Sequence, residues 1–341
     1  MKINTYDLLI NNEIAHVKIN EAFLKKIKEK IVQKYSSLRK YNSQKLKICY
    51  ETLRHEFGIN KYLKFNRLLK IAEDINISKE EVFNHIKVFF AKGSNTSREV
   101  VLPKELIIDE QFIEGYALYL AEGDKGFDKH TRSRKLRFST PEFPILKCFQ
   151  NWLVRYFPNN NYYFKILVPH NKVFTKDHFN RIKNYFNLND SQIKVQECNK
   201  WKKKRFNFLY RICCDRAILI DLFFSLENTI KEICLNNRKL AIAYIRGMMM
   251  GEGTAYFSES RYVRIEMRNE KEIKYLHKLF KMLGFNCSPY LRTEREGMWS
   301  IYIGAKQLKK FYDEIGFGVH QEKQKILEEA VNKKLRVNQY I

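Results

Sequence analysis

The sequence predicts an α+β fold in which two similar repeats follow a mostly helical N-terminal domain. Two apolar stretches of helical character, residues 115–123 and 245–253, each end in an acid followed by glycine. After each stretch the hydrophobic pattern predicts the same order of elements, namely two strands, a helix, two more strands and a helix. A chain of 341 residues is long enough for two or three domains. The predicted domains are residues 1–100, 101–236 and 237–341.

Small residues define one face of each repeated helix. Ala117 and Ala121 are four positions apart in the first copy, as are Gly247 and Gly251 in the second. Residues four apart lie on the same helix face, and a face of small residues allows two helix backbones to approach closely. The sequence therefore predicts that the two helices pack against each other through these four residues.

The acid that ends each stretch is a glutamate, Glu122 in the first copy and Glu252 in the second. If the helices end side by side, these two carboxylates meet. The glycine that follows each of them, Gly123 or Gly253, is expected to end its helix in the left-handed conformation.

Both stretches resemble the LAGLIDADG motif of homing endonucleases, in the single-chain form with two copies. The resemblance implies two pseudo-twofold-related αββαββα repeats over residues 102–331 and cleavage of double-stranded DNA at specific sites. It also implies that Glu122 and Glu252 are the catalytic acids and hold Mg²⁺, as in archaeal members with glutamate at this position. The chain departs from the motif at three places, Ala117, Leu120 and Met250.

The resemblance further implies a basic catalytic residue after the second strand of each repeat. Arg268 matches that place in the second repeat. The first repeat has Ser139 and Thr140 there, so a cation is missing. Lys323 and Lys325, late in the chain, are weaker candidates for the role.

The composition favours a nucleic-acid partner. The formal net charge is +25, and the basic excess is spread over all three predicted domains, as expected for a long surface that follows a polyanion. No apolar run is long enough to span a membrane, and no basic amphipathic helix favours a membrane surface. The seven cysteines show no metal-ligand spacing, which fits free thiols in a reducing cytoplasm.

The N-terminal domain contains a segment that resembles a helix-turn-helix. One helix runs from Phe65 to about Ile75, and Ser78 caps a second helix with Glu81 at the capping-box position. Val82 and Ile86 are expected to face the core, which leaves Lys79, Asn84 and Lys87 for a DNA groove. The alternative is a helical subdomain that braces the rest of the protein. Residues 93–97 predict a loop at the domain boundary.

In the first repeat, Asp109 is expected to cap a helix over residues 110–121. A basic loop and a strand over 135–139 follow, and the strand places Lys135 and Arg137 on one face. A helix over 143–157, a strand over 162–168, a strand ending near 211 and a helix over 217–235 complete the repeat. The residues expected to bind DNA are Lys135, Arg137, Lys202, Lys203, Lys204 and Arg205.

The second repeat is predicted to have a helix over residues 238–251, strands over 254–258 and 262–268, and a helix over 270–283 that Gly284 ends. A hairpin over 290–303 and helices over 306–315 and 321–331 follow. Arg264 and Arg292 lie on predicted strands and are expected to reach DNA bases or phosphates.

Three functions remain open at this stage. The first is a monomeric, Mg²⁺-dependent DNA endonuclease of the homing type, with no small-molecule cofactor and no membrane contact, acting in the cytoplasm at the nucleoid. The second is a DNA-binding transcriptional regulator derived from the same family that no longer cleaves. The third is an RNA maturase.

Overall fold

The computed structural model describes residues 1–58, 61–92, 98–124, 135–169, 172–198 and 208–332. Over these residues the chain has the predicted α+β fold, with strands in sheets of two, three, four and five. In the same ranges, no helix is both long and apolar enough to cross a membrane.

The N-terminal part is mainly helical, as predicted, but it also contains a small sheet. The strands of this part are β1 (Lys2–Asn4), β2 (Ala15–Ile19), β3 (Leu63–Lys64) and β4 (Ile86–Ala91). The small sheet consists of β2 between β3 and β4, all antiparallel, and β1 lies outside it. The helices are α1 (Thr5–Leu9), α2 (Glu21–Tyr35), α3 (Leu38–Tyr41), α4 (Tyr50–Glu56), α5 (Phe65–Asp74) and α6 (Lys79–Asn84). The sequence analysis did not predict this sheet, because it assigned Ile86, the first residue of β4, to the preceding helix.

Helices α5 and α6 form the predicted helix-turn-helix. The turn has Asn76 in the left-handed region, with φ of 53°. The Ser78 hydroxyl accepts a hydrogen bond from the Glu81 amide (3.1 Å) and caps α6. The prediction for the end of this helix was wrong, because α6 stops at Asn84 and both Ile86 and Lys87 lie in β4.

The side chains of α6 that were expected to face a DNA groove contact the protein itself. Lys79 forms an ion pair with Asp7 of α1. Lys104, in the segment that leads to the first repeat, donates a hydrogen bond to the Asn84 side chain (2.8 Å).

The first repeat has the predicted order of elements with one insertion. It comprises β5 (Glu105–Ile107), α7 (Glu110–Glu122), β6 (Gly123–Asp124), β7 (Leu136–Thr140), α8 (Phe143–Tyr156), β8 (Tyr163–Pro169), α9 (Lys176–Phe186), β9 (Ile193–Cys198), β10 (Leu209–Cys214) and α10 (Ala217–Asn236). The five-stranded sheet has the order β6-β7-β10-β8-β9, and β5 pairs with β1 outside it.

The insertion is α9 with β9, which the sequence analysis did not predict. Strand β9 is parallel to β8, and parallel neighbours require a crossover, which is usually a helix. Thr175 caps α9, and Ile182 and Phe186 are its buried residues. The first repeat therefore departs from a plain αββαββα order by one extra helix and one extra edge strand.

The second repeat follows the predicted order without an insertion. It comprises α11 (Arg238–Glu252), β11 (Gly253–Phe257), β12 (Arg261–Met267), α12 (Glu270–Met282), β13 (Pro289–Leu291), β14 (Trp299–Gly304), α13 (Leu308–Glu314) and α14 (Gln321–Asn332). Its sheet has the order β11-β12-β14-β13. The first four strands of the other sheet, β6-β7-β10-β8, are arranged in the same way, which supports two related repeats.

Each large sheet buries one face under helices and leaves the other open. In the first repeat, Phe138 of β7 stacks on Phe149 of α8, with ring centroids 4.2 Å apart. In the second, Val263 and Ile265 of β12 are buried, and Arg264 between them points the opposite way because strand side chains alternate. The open faces of the two sheets are therefore available for a ligand.

Helix α10 joins the two repeats and also contacts the N-terminal part. The Asn12 amide donates to the Asp221 carboxylate of α10 (2.8 Å). At its other end, Lys231 pairs with Glu272 of α12 (2.7 Å). The Tyr244 hydroxyl of α11 donates to the same Glu272 carboxylate (2.6 Å). These contacts tie α10, α11 and α12 together behind the second sheet.

Candidate active site and nucleic-acid interface

Helices α7 and α11 pack through the four small residues that the sequence analysis singled out. A Cβ atom built on Gly247 would lie 2.8 Å from the Ala117 Cβ and 2.3 Å from the backbone oxygen of Glu114. A Cβ atom built on Gly251 would lie 2.5 Å from the Ala121 Cβ. The two backbones are thus in direct contact, and neither glycine has room for a side chain.

The close packing brings the ends of the two helices together. Glu122 is the last residue of α7, and Glu252 is the last residue of α11. The Glu122 Oε1 atom lies 3.5 Å from where a Gly251 Cβ would be. The Glu122 carboxylate therefore lies beside the residue that precedes Glu252.

The expectation of left-handed glycines at these helix ends was wrong. Gly123 has φ of −71° and Gly253 has φ of −78°, and both are extended. A Cβ at Gly123 would lie 2.4 Å from the Tyr119 backbone oxygen, and one at Gly253 would lie 2.5 Å from that of Met249. Glycine is required here because the chain passes directly from helix to strand over the last helical turn, not because of its backbone angles.

Glu122 lines a cleft of about 340 Å³ beside the helix ends. Its side chain is exposed to solvent, but protein atoms surround it because the cleft is concave. This desolvation raises the pKa of the Glu122 carboxyl, and the nearby Lys323 ammonium partly opposes the rise. Deprotonated Glu122 is thus stabilised by Lys323.

Lys323 of α14 lies at the centre of the site, although the sequence analysis ranked it as a weaker candidate. Its Nζ donates hydrogen bonds to the backbone oxygens of Met250 (2.9 Å) and Gly251 (2.8 Å), at the end of α11. Burial lowers its pKa to about 8, against the opposing effect of the Glu122 and Glu252 carboxylates. Lys325, the other weak candidate, is exposed on the same helix.

His320 also lines the cleft and was missed by sequence reasoning. It is only 8% exposed, and its Nδ1 has no hydrogen-bond partner among the described residues. Burial, together with the Lys323 charge, lowers the pKa of His320 to about 4. No local motif marks this histidine, so only the fold reveals it.

The low pKa of His320 predicts sensitivity to acid. Because the folded-state pKa is below the ordinary value of about 6.5, the stability that neutral His320 contributes is complete above pH 6.5 and is lost as pH falls towards 4. We expect the melting temperature of the wild type to fall by a few degrees more than that of His320→Gln between pH 7 and pH 5. Thermal unfolding followed by circular dichroism measures this. An equal fall in the melting temperature of both proteins would contradict the prediction. So would a control variant, His55→Gln at an exposed position, if it reduced this fall as much as His320→Gln does.

Arg268 lies at the same end of the sheet as Glu252. It is exposed and directly follows β12, which runs antiparallel to β11 with Ile265 opposite Gly253. In the first repeat Phe138 lies opposite Gly123, so Thr140 and Pro141 take the places of Met267 and Arg268. Thr140 is buried and lines the cleft that also contains Lys323. The two repeats therefore differ in the position where the second has a cation.

The predicted DNA-binding residues of the second repeat are held by one carboxylate. Glu266 pairs with Arg264 (3.2 Å) and with Arg292 (2.5 Å). Arg295 approaches the other Glu266 oxygen at 3.5 Å. The group lies on or beside the open face of the sheet, where part of its positive charge is already neutralised.

The predicted DNA-binding residues of the first repeat are partly described. Lys135 immediately precedes β7, and Arg137 on β7 pairs with Asp124 (3.4 Å). Lys202, Lys203, Lys204 and Arg205 lie outside the described residues, as does the basic loop before Lys135.

Sequence reasoning missed three cations on the open face of the first sheet, Arg211, Lys165 and Lys194. Arg211 of β10 lies opposite both Ser139 of β7 and Lys165 of β8. Its Nε donates a hydrogen bond to the Ser139 hydroxyl (2.7 Å). Strand alternation could have indicated these cations, but their alignment with Arg137 needed the strand register. Among the described residues, this face therefore carries Ser139 and four basic residues, namely Arg137, Lys165, Lys194 and Arg211.

No cluster of three or more His, Cys, Asp or Glu side chains suited to a metal is present among the described residues. Glu122 and Glu252 are two carboxylates, and Mg²⁺ is commonly held by one or two carboxylates together with water and substrate phosphates. The donor set thus fits a divalent cation that is completed by a bound phosphate, not one held by protein alone.

No protein-family model matches the chain, and no curated protein matches it significantly. Among solved structures, I-DmoI in complex with DNA and Mn aligns over 62% of this chain and 98% of its own, with 15% identity and a TM-score of 0.38. The N-terminal LAGLIDADG domain of DUF199/WhiA aligns over 66% of this chain and 84% of its own, with 12% identity and a TM-score of 0.34. Full-length DUF199/WhiA from Thermatoga maritima aligns over 67% and 58%, with 13% identity and a TM-score of 0.36. The chain is thus similar, at low identity, to LAGLIDADG structures.

Proposed function

We propose that the chain is a site-specific, Mg²⁺-dependent endonuclease that cuts double-stranded DNA. The observation that supports this most is the position of Glu122 and Glu252 at the ends of two helices in backbone contact. Carboxylates at a surface meant only to bind DNA would repel its phosphates. Their presence at the crossing, between two sheets with open faces, is what a metal-dependent phosphodiesterase needs.

In this proposal Glu122 and Glu252 would hold the divalent cation together with phosphate oxygens of DNA. When bound, such a cation would supply Lewis-acid chemistry, which makes a water molecule more acidic and offsets charge on the phosphate. Glu122 has to be deprotonated for this role, and the Lys323 charge favours that form. Arg268, at the end of β12, would donate to a phosphate on the side of the second repeat.

The open faces of the two sheets would bind the DNA. In the first repeat Arg137, Lys165 and Arg211 lie on one face. The basic residues 202–205, which lie outside the described residues, are part of the same proposal. In the second repeat Arg264 and Arg292 have to exchange some contact with Glu266 for contact with DNA. Phosphate contacts of this kind make affinity depend steeply on salt.

We further propose that the protein acts as a monomer, because one chain carries both acids. It would need no small-molecule cofactor and would work in the cytoplasm at the nucleoid. The proposed domain boundaries remain near residues 100 and 236.

The alternative is a DNA-binding regulator that does not cleave. One observation favours it: the first repeat has Pro141 where the second has Arg268, so the two halves are not equivalent around the acids. The Glu266 carboxylate, which neutralises part of the second sheet's charge, is compatible with either function.

A randomised duplex library separates the two functions. We expect the wild type to bind a subset of duplexes in a salt-sensitive way and to cut them when Mg²⁺ is added. The double variant Glu122→Gln/Glu252→Gln should bind the same duplexes without cutting them. Binding by the wild type with no cut in either strand would overturn the nuclease and leave the regulator.

A further inference from the structure

The Lys323 ammonium is placed among oxygen atoms that suit a hard cation. Two backbone oxygens at the end of α11 accept its hydrogen bonds at 2.8 and 2.9 Å. The Glu122 and Glu252 carboxylates both stabilise its positive charge, which opposes the lowering of the Lys323 pKa by burial, and Glu122 has the larger effect of the two. Among the described residues that line the cleft, Lys323 is the one basic residue besides His320.

The fold holds Lys323 in this position. The turn before α14 lies against α11, where a Cβ on Gly318 would be 2.8 Å from the Met250 Sδ. The Gln324 side chain accepts a hydrogen bond from the Phe317 amide (2.8 Å) and braces the turn. Leu327 and Ala330 are the buried residues of α14. Lys323 is therefore anchored by its helix and is not a freely moving surface lysine.

An ammonium and a divalent cation compete for these oxygens, because two positive charges so close together repel each other. Mg²⁺ requires oxygen ligands at about 2.0–2.1 Å and Ca²⁺ at about 2.3–2.6 Å. A metal bound to the Gly251 backbone oxygen would displace the hydrogen bond that the Lys323 Nζ donates to it (2.8 Å). The neighbouring His320 is buried among these groups and adds no hydrogen bond from its Nδ1 to any described residue.

We propose that Lys323 is a resident cation that competes with divalent metal for the oxygens beside Glu122. The inference rests on the proposed metal site at Glu122 and Glu252. It assigns Lys323 two effects: it neutralises the paired carboxylates when no metal is present, and it weakens metal binding by the free protein. Glu142 and Glu322 line the same cleft, so removal of the ammonium leaves a strongly acidic site.

Mn²⁺ binding to the free protein, followed by electron paramagnetic resonance, tests the competition without any need for cleavage. We expect Lys323→Met to bind Mn²⁺ at least about tenfold more tightly than the wild type, because a vacant, more acidic oxygen site attracts the ion. Lys325→Met, at an exposed position two residues further along α14, should bind like the wild type. Adding Glu122→Gln to Lys323→Met should remove the gain.

Equal or weaker Mn²⁺ binding by folded Lys323→Met would overturn the inference. If circular dichroism shows that this variant does not fold, Lys323→Gln serves instead, since its amide keeps a hydrogen-bond donor and removes the charge. The result of this Mn²⁺-binding test is independent of the result of the DNA-cleavage test. If the wild type cuts DNA but Lys323→Met gains no Mn²⁺ affinity, only this inference is overturned. If Lys323→Met gains affinity but the wild type never cuts DNA, only the proposed nuclease function is overturned.

Discussion

Gly247→Ala is expected to lower the free energy of unfolding by about 3 kcal/mol, as overpacking of a tight contact does. The new Cβ would lie 2.3 Å from the Glu114 backbone oxygen, and a backbone atom cannot move aside as a flexible side chain can. In an unconstrained helix the same substitution would stabilise by about 1 kcal/mol through helix propensity. Chemical denaturation of the two proteins measures the difference.

The matched control for this variant is Lys239→Ala, at an exposed position on the same helix. It should change stability by less than about 0.5 kcal/mol. If Gly247→Ala were as stable as the wild type, α7 and α11 would not pack backbone to backbone. The packing that is proposed to bring Glu122 and Glu252 together would then be absent.

Glu122→Gln and Glu252→Gln, tested singly, are each expected to reduce double-strand cleavage about a thousandfold, which corresponds to about 4 kcal/mol of transition-state stabilisation. The amide keeps the size of the side chain but is a poor ligand for Mg²⁺. DNA affinity without Mg²⁺ should be equal or slightly higher, because a negative charge that faces phosphates is removed. Cleavage rates and equilibrium binding on a duplex from the library measure both quantities.

Glu328→Gln, at an exposed position on α14, is the control and should cleave like the wild type. Normal cleavage by either active-site variant would show that its carboxylate does not hold the metal. A parallel loss of DNA binding would instead assign the carboxylate to folding of the interface.

The helix crossing could be predicted from sequence because its signal is local. Ala117 and Ala121, like Gly247 and Gly251, are one helical turn apart, and helical periodicity alone places such residues on one face. The same applies to the Ser78 cap and to the apolar alternation of β12. The conformation of Gly123 and Gly253 could not be predicted, because it depends on how closely the following strand passes over the last turn of the helix.

Contacts between segments that are far apart in the chain could not be predicted from the sequence. Lys323 is 73 residues from Met250, whose backbone oxygen it contacts, and nothing near Lys323 marks it as special. Arg264 and Arg292 were expected to be open to DNA, but both pair with Glu266. Arg292 and Glu266 are 26 residues apart, and only the fold brings them together. The inserted α9 and β9 were missed because the residues around them have no counterpart in the second repeat.

An anomalous-difference map from crystals grown with Mn²⁺ and a bound duplex tests most directly whether Glu122 and Glu252 share a metal site. We expect a peak in contact with a phosphate oxygen and with at least one of these carboxylates, and both carboxylates within one site at the crossing of α7 and α11. A map in which the two carboxylates lie in separate environments, with Mn²⁺ bound elsewhere, would contradict the proposed active site.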